Sequence, residues 1–255
     1  MSVNDWDAST YHAISAPQQS WATDVLGRLD PQAAETVLDA GCGSGKITER
    51  IAALVPDGTV YAVDAAPSMV AHTAELFAGR TRPPVIALCQ DLTELSLPEP
   101  VDAIFSNATF HWIGDHPKLF AALYAALKPG GRLVAQCGGK GNIDAFRIDA
   151  DAVATGDPRF APYFEGWTGP WNYADAPETA DRLAAAGFAR IETWLEPKPT
   201  LLEDPRPFIR TVCVVRHLDL LPAELHEPFL DAVLARTGVP LMLGYVRLNI
   251  VARRP

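Results

Sequence analysis

The stretch 36-TVLDAGCGSGKITERIAAL-54 decides the fold. Thr36 to Ala40 is a short apolar run suited to a strand, and it ends in the glycine loop 41-GCGSG-45, after which a helix is expected at 46–55. A Gly-rich turn between strand and helix lets a ligand approach the backbone and meet the helix N-terminus. The same alternation continues outward. Strand 59-TVYAVDA-65 leads into a helix at 67–78 that opens on proline, followed by 85-VIALCQ-90, 101-VDAIFSNA-108, a helix at 115–128 and 132-RLVAQCG-138. Continuous apolar strands alternating with helices predict an α/β fold with a parallel sheet covered on both faces.

Upstream, residues 1–35 read as a polar start and a helical segment in which Trp21, Val25 and Leu26 recur at helical spacing, closed by Asp30-Pro31. The core occupies 36–139. Regularity then lapses over 140–176, an inserted cap rich in aromatic residues and proline. It resumes over 177–198 with a helix and a strand, lapses again over a mostly helical second insertion at 199–238, and ends over 239–255 with the strand 242-MLGYVRLNIVAR-253. The two insertions are expected to form a helical lid.

The 255 residues are 48% hydrophobic, enough for a sizeable core. With 21 basic and 31 acidic residues, the net charge of −10 offers no basic footprint for nucleic acid or anionic lipid. Cys42, Cys89, Cys137 and Cys213 form no CxxC pair. The start lacks the charge and apolar run of a signal peptide, and no apolar run approaches the ~20 residues of a membrane span. A cytoplasmic enzyme without membrane or nucleic-acid partners is expected; its oligomeric state is not readable, and a monomer is compatible.

Three ligand classes use such a glycine loop. A Walker loop needs GxxxxGK followed by Ser or Thr, whereas Lys46 is followed by Ile47 and the first glycine position is Ala40. A dinucleotide fingerprint needs GxGxxG, and here the third glycine, Gly45, comes one place early. The spacing Asp39-x-Gly41-x-Gly43-x-Gly45 resembles motif I of the class I S-adenosylmethionine-dependent methyltransferases. Asp64, 19 residues after Gly45, ends the second strand, Gln90-Asp91-Leu92 follows the third, Asn107-Ala108 ends the fourth, and Lys128-Pro129-Gly130-Gly131 precedes the fifth. The order matches that superfamily. Within it, 6-WDASTYHAISAPQQSWATDVL-26 and 106-SNATFHWIGDHPKLFAALYAALKPGG-131 most resemble the trans-aconitate 2-methyltransferase group.

The resemblance implies a Rossmann-like sheet, mostly parallel with its last strand antiparallel, and S-adenosyl-L-methionine as cofactor, released as S-adenosyl-L-homocysteine. It also implies a cofactor site. Asp39 and Gly41 would lie near the methionine part with Gly43 packed close, Asp64 would bind ribose, and Ala65 and Met69 would line the adenine. Asp91 and Leu92 would cap the adenine, Asn107 and Phe110 would border the methionine end, and Tyr11 would cover its carboxylate.

Open parallel sheets bind ligands beyond the carboxyl ends of their strands, which puts His111 and Trp112 beside the methyl group. Methyl transfer from a sulfonium is an in-line displacement that asks the protein for alignment and water exclusion. A carboxylate acceptor is already ionised and needs only an orienting donor, which the Trp112 indole N–H suits. In plant and insect carboxyl methyltransferases a similar His-Trp step works with an N-terminal glutamine, a role that would fall to Gln18 or Gln19. Alternatively His111 is a general base for a phenol, amine or carbon acid, or the chain is a non-catalytic cofactor-binding module. His116 is expected on the surface. In the insertions Trp167, Trp171, Tyr173 and Phe164 are expected to wall a small-molecule substrate, with Arg147, Arg210 and Arg216 as candidate anion contacts. No metal-ligand spacing is present.

Overall fold

The structure, a computed structural model, describes the backbone of residues 16–255 and the side chains from Trp21 onward. Two compact units are distinguished. The first runs through Lys140 and adds Asn172–Glu196 and Arg247–Pro255, and the second comprises Gly141–Trp171 and Pro197–Val246.

In the first unit α1 (Ala16–Leu29) precedes β1 (Thr36–Ala40), α2 (Lys46–Leu54), β2 (Thr59–Asp64), α3 (Pro67–Leu76), β3 (Val85–Cys89) and β4 (Val101–Asn107). Then come α4 (His116–Ala126), β5 (Leu127–Gly138), α6 (Ala176–Ala185), β6 (Ala189–Pro197) and β9 (Val246–Arg253). The strands form one seven-stranded sheet in the order β3-β2-β1-β4-β5-β9-β6. β1 is parallel to β2 and β4, β2 to β3, and β4 to β5, whereas β9 runs antiparallel to β5. The expected mostly parallel sheet with an antiparallel last strand is what forms.

Both faces are apolar because successive strand residues point opposite ways. Leu38, Ile104, Leu133 and Ile250 join one core with Phe120 and Leu123 of α4. Val37, Ala103, Phe105 and Val134 join the other with Val25 and Leu29 of α1 and Ile51 of α2. Strand order reverses between β1 and β4, so their carboxyl ends border the crevice where open α/β sheets bind ligands.

Two boundaries differ from the sequence reading. β5 starts at Leu127, and Lys128–Gly131 loops out between the pairs Val101–Leu127 and Ala103–Arg132, with Gly130 at φ +80°. The single final strand expected from Met242 is broken at Gly244-Tyr245 into β8 (Leu241–Leu243) and β9.

The second unit contains α5 (Asp144–Gly156), β7 (Thr200–Leu202) paired antiparallel to β8, several short helical turns, and α7 (His226–Thr237). Aromatic rings dominate its interior. Phe229 of α7 packs edge-on against Phe160 at 5.2 Å between centroids and stacks on Phe164 at 6.0 Å.

Candidate active site

The three glycines after β1 do different work. Gly41, Gly43 and Gly45 all take positive φ, at 84°, 52° and 79°, where L side chains are strained. A Cβ on Gly41 would run into the Thr109 side chain, and one on Gly45 would meet Thr73 and Leu76 of α3. The loop is pinned from the same side by Thr73, whose hydroxyl donates to the Gly43 carbonyl at 3.0 Å. Gly43 alone of the three has open space where its Cβ would stand. It is the point at which a ligand can reach the backbone.

Two acidic side chains border this loop. Asp64, at the end of β2, accepts the Gly43 N–H through Oδ2 and the Ala66 N–H through Oδ1, each at 2.9 Å. Burial raises its pKa, and the backbone donors only partly offset that. Asp39, near the end of β1, is 1% exposed and accepts the Thr48 hydroxyl at 2.7 Å. Burial pushes it up to about 7, against the Thr48 hydrogen bond and helped by the nearby Asp64 charge. Such desolvated carboxylates favour a ligand that brings positive charge or hydroxyl donors. Ala65 is exposed beside Asp64, and Met69 is buried in α3. Asp91 caps the turn Leu92–Glu94 by accepting the Thr93 N–H at 2.8 Å, while Leu92 is buried in the core.

At the end of β4 the Ser106 hydroxyl donates to the Ala40 carbonyl at 2.6 Å, locking the two strand ends together. The chain then turns sharply. Asn107 is half-buried, and Ala108 sits at φ +58°, a costly conformation for a residue with a side chain. Phe110 is buried edge-on against Phe120. His111 is 8% exposed, packs between Trp112 and Tyr173, and accepts the Gly138 N–H through Nδ1 at 3.3 Å. Burial, then the charges of Arg247 and His116, hold its pKa well below the ordinary histidine range. The imidazole is neutral. With Nδ1 accepting, its proton resides on Nε2.

His116 is not on the surface as expected. It is 1% exposed, with Nε2 3.0 Å from the Phe110 carbonyl and Nδ1 3.2 Å from the Arg182 guanidinium. Neighbours on both sides hold the ring because α4 starts directly under the His111 turn. Asn172 also escaped the sequence reading. Its backbone N–H donates to the His111 carbonyl at 2.8 Å, and its side-chain amide donates to the Ile113 and Gly114 carbonyls at 3.1 Å each. Nothing in the local sequence marks it, because its partners lie some 60 positions away.

A second unforeseen cluster lies on the α1 face of the sheet. Phe105 and Val134 give way to Asn107 and Gln136 towards the strand ends, and Val251 of β9 gives way to Asn249 and Arg247. Gln136 donates to the Asn249 Oδ1 at 2.8 Å, as does Arg28 of α1. The Arg247 Nε donates to the Gln136 Oε1 at 3.3 Å, and its guanidinium lies over the Trp21 ring at 4.8 Å.

In the second unit Arg147, Trp167 and Trp171 gather around two residues that the sequence reading did not name, Asp151 and His217. Arg147 pairs with Asp144 and Asp151 at 3.5 and 3.4 Å, and the Trp167 indole donates to the Asp151 Oδ1 at 3.0 Å. The buried His217 ring lies 4.9 Å from that of Trp167 and 6.0 Å from that of Trp171, with Nε2 3.3 Å from Asp151. Burial works to raise the Asp151 pKa, but His217, Trp167 and Arg147 bring it below the usual carboxylate range. Arg210 pairs with Glu227, and Arg216 with Asp219. Tyr11 and the side chains of Gln18 and Gln19 lie outside the described residues. Among the described residues no cluster of metal-binding side chains occurs, and no helix is long and apolar enough to cross a membrane.

Comparisons with known proteins agree with this geometry. A family model described as a methyltransferase domain matches residues 37–131. A trans-aconitate 2-methyltransferase of Methylobacterium nodulans is 29% identical, the match covering 98% of each chain. The structure of the YcgJ protein from Bacillus subtilis superposes with a TM-score of 0.64 at 16% identity, covering 92% of this chain and 98% of that one. A Haemonchus contortus phosphoethanolamine N-methyltransferase 2, solved with S-adenosyl-L-methionine, gives 0.61 at 19%, covering 97% of this chain and 56% of that one. The open approach at Gly43 and the two desolvated carboxylates fit that cofactor, which carries a sulfonium, an ammonium and ribose hydroxyls. The chain is an S-adenosyl-L-methionine-dependent methyltransferase, similar in motifs and sheet to the class I enzymes and, over nearly its whole length, to the trans-aconitate 2-methyltransferases.

Proposed function

We propose that the enzyme methylates a carboxylate oxygen of a small acid, giving a methyl ester. The observation that carries this reading is the hydrogen bond from the Gly138 N–H to the His111 Nδ1. It commits the lone pair of the imidazole and leaves Nε2 with the proton, so the ring is a donor and not a base. Phenols, amines and carbon acids would need a base near this point, whereas a carboxylate, titrating near ~4, does not. The cofactor supplies the methyl group as a sulfonium and leaves as S-adenosyl-L-homocysteine.

In this reading Asp64 accepts the ribose hydroxyls, Ala65 and Met69 line the adenine, and Asp91 with Leu92 caps it. Asp39 and Gly41 border the methionine part, Gly43 presents backbone to it, Asn107 and Phe110 close that end, and Tyr11 covers the carboxylate. The Trp112 indole N–H and the His111 Nε2–H orient the attacking carboxylate, with Gln18 or Gln19 as a further donor. These are neutral donors, which align an oxygen without quenching its nucleophilicity as a full positive charge would. Within the second unit, Arg147 and Trp167 already spend their polar ends on Asp151. The relatives' name makes a trans-aconitate-like acid the first acceptor to try.

The test is a methyl-transfer assay over carboxylic acids, phenols and amines, with products identified by mass and by alkaline lability. Alkali-labile methyl esters are expected. Turnover of phenols or amines while acids stay unmodified would overturn the reading.

A further inference from the structure

The turn that carries His111 and Trp112 is held by groups from distant parts of the first unit. Asn172 donates to the His111, Ile113 and Gly114 carbonyls, and the Tyr173 ring stacks on that of His111 at 5.8 Å. The Phe110 carbonyl closes the turn by accepting the Ile113 N–H at 3.0 Å, and the His116 Nε2 lies at 3.0 Å from the same oxygen. On its other side His116 has Nδ1 3.2 Å from the guanidinium of Arg182 in α6, which also donates to Glu178. The buried His116 ring rests 5.5 Å from that of Phe120, the ring that Phe110 meets edge-on.

A carbonyl can only accept a hydrogen bond, and a guanidinium can only donate one. The two partners together therefore put the His116 proton on Nε2, where it is given to Phe110. Burial lowers the His116 pKa, against the Phe110 bond, and the Arg182 charge lowers it further, so the ring is neutral. A proton on Nδ1 would face the guanidinium donor and leave the Nε2 lone pair against the Phe110 carbonyl. Contact between α4 and α6 does not require these polar groups, because Leu119, Leu123 and Leu183 of the two helices already share one apolar core. We propose that His116 and Arg182 are positioning residues for methyl transfer: Arg182 fixes the His116 tautomer, and His116 holds the Phe110–Trp112 turn where His111 and Trp112 align the acceptor. This rests on the reading of that turn as acceptor-orienting.

Kinetics are read on the full chain with trans-aconitate as acceptor. His116→Leu should lower kcat/KM for the acceptor at least about ten-fold while KM for S-adenosyl-L-methionine stays within about two-fold, a split that general destabilisation does not produce. His116→Gln, whose amide offers a donor in place of Nε2–H, should recover most of that loss. Arg182→Met should cost several-fold alone and nothing further in the His116→Leu background, because it acts through His116. The proposal is overturned if His116→Gln is as impaired as His116→Leu, if the two losses add in full, or if KM for the cofactor rises in step with that for the acceptor. Nitrogen NMR of the histidine rings needs no acceptor. Wild-type His116 should show the Nε2–H tautomer, Arg182→Met should mix the tautomers, and the His111 resonances should shift in Arg182→Met and in His116→Leu. An unmixed His116 tautomer or unmoved His111 resonances in Arg182→Met overturn the proposal, and this arm decides should His116→Leu fail to fold by circular dichroism. Shifted His111 resonances with no ester formed from any acid would uphold the positioning pair and refute the proposed reaction.

Discussion

The Gly138 backbone N–H, at the carboxyl end of β5, donates to the His111 Nδ1 across 3.3 Å. This bond joins the strand to the turn after β4 and sets the tautomer of the ring. It turns the most reactive-looking side chain of the candidate site into a fixed donor.

If that is so, kcat/KM at saturating cofactor should show no ionisation near neutrality. A flat profile from about pH 6 to 8.5 is expected, with loss only as the acceptor carboxylate protonates near ~4. A limb near 7 that disappears in His111→Gln would make His111 a base. Stability should follow a different course. Because burial depresses the His111 pKa, the unfolded chain binds a proton near ~6.5 that the native ring refuses. Its contribution is full above that pH and is lost as the pH falls below it, a slope that His111→Gln should remove from thermal melts.

Asp39 has the opposite linkage. Its native pKa of about 7 lies above its ordinary 3.8, so the native state holds a proton that the unfolded state has lost, and stability declines as pH rises through that window. Binding a cationic ligand should ionise the group. Titrations with S-adenosyl-L-methionine near pH 6.5, run in buffers of different ionisation enthalpy, should show proton release that is absent in Asp39→Asn. Equal release by both proteins would refute the assignment.

Gly43→Ala should separate binding from folding. The new methyl occupies open space at φ +52°, so the folding cost is the left-handed penalty of about 1–2 kcal/mol. Affinity for S-adenosyl-L-homocysteine should fall by at least about ten-fold, since the methyl stands where the ligand approaches. A stability loss with unaltered affinity would place the ligand elsewhere.

Asn172→Ala removes both side-chain bonds to the Ile113 and Gly114 carbonyls. A loss of about 1–2 kcal/mol is expected in chemical denaturation. The freed His111-Trp112 turn should raise KM for the acceptor and leave cofactor affinity unchanged. Loss of cofactor affinity alone would show that Asn172 supports a different part of the site.

How much was legible beforehand depends on sequence separation. The glycine loop, Asp39 and Asp64 stand out because each strand, turn and helix junction carries its own chemistry within a few residues. The His111-Trp112 step was visible, but its protonation was not, since the donor that decides it is 27 positions away. His116 read as a surface residue because a histidine opening a helix is usually solvated, and only the packing of Phe110 and Arg182 around it buries it.

The sequence by itself determined the alternation of strands and helices and, through the resemblance of its motifs, the cofactor class. Hydrophobic periodicity and turn chemistry are local, and they recur in the order that a doubly wound sheet requires. Tertiary structure alone decided which polar groups meet: Asn172 under the His-Trp turn, Asp151 with Trp167 and His217, and Arg247 beside Gly138. Those meetings are set by strand register and helix packing between segments distant in the chain, and residue type at one position carries no record of its partner.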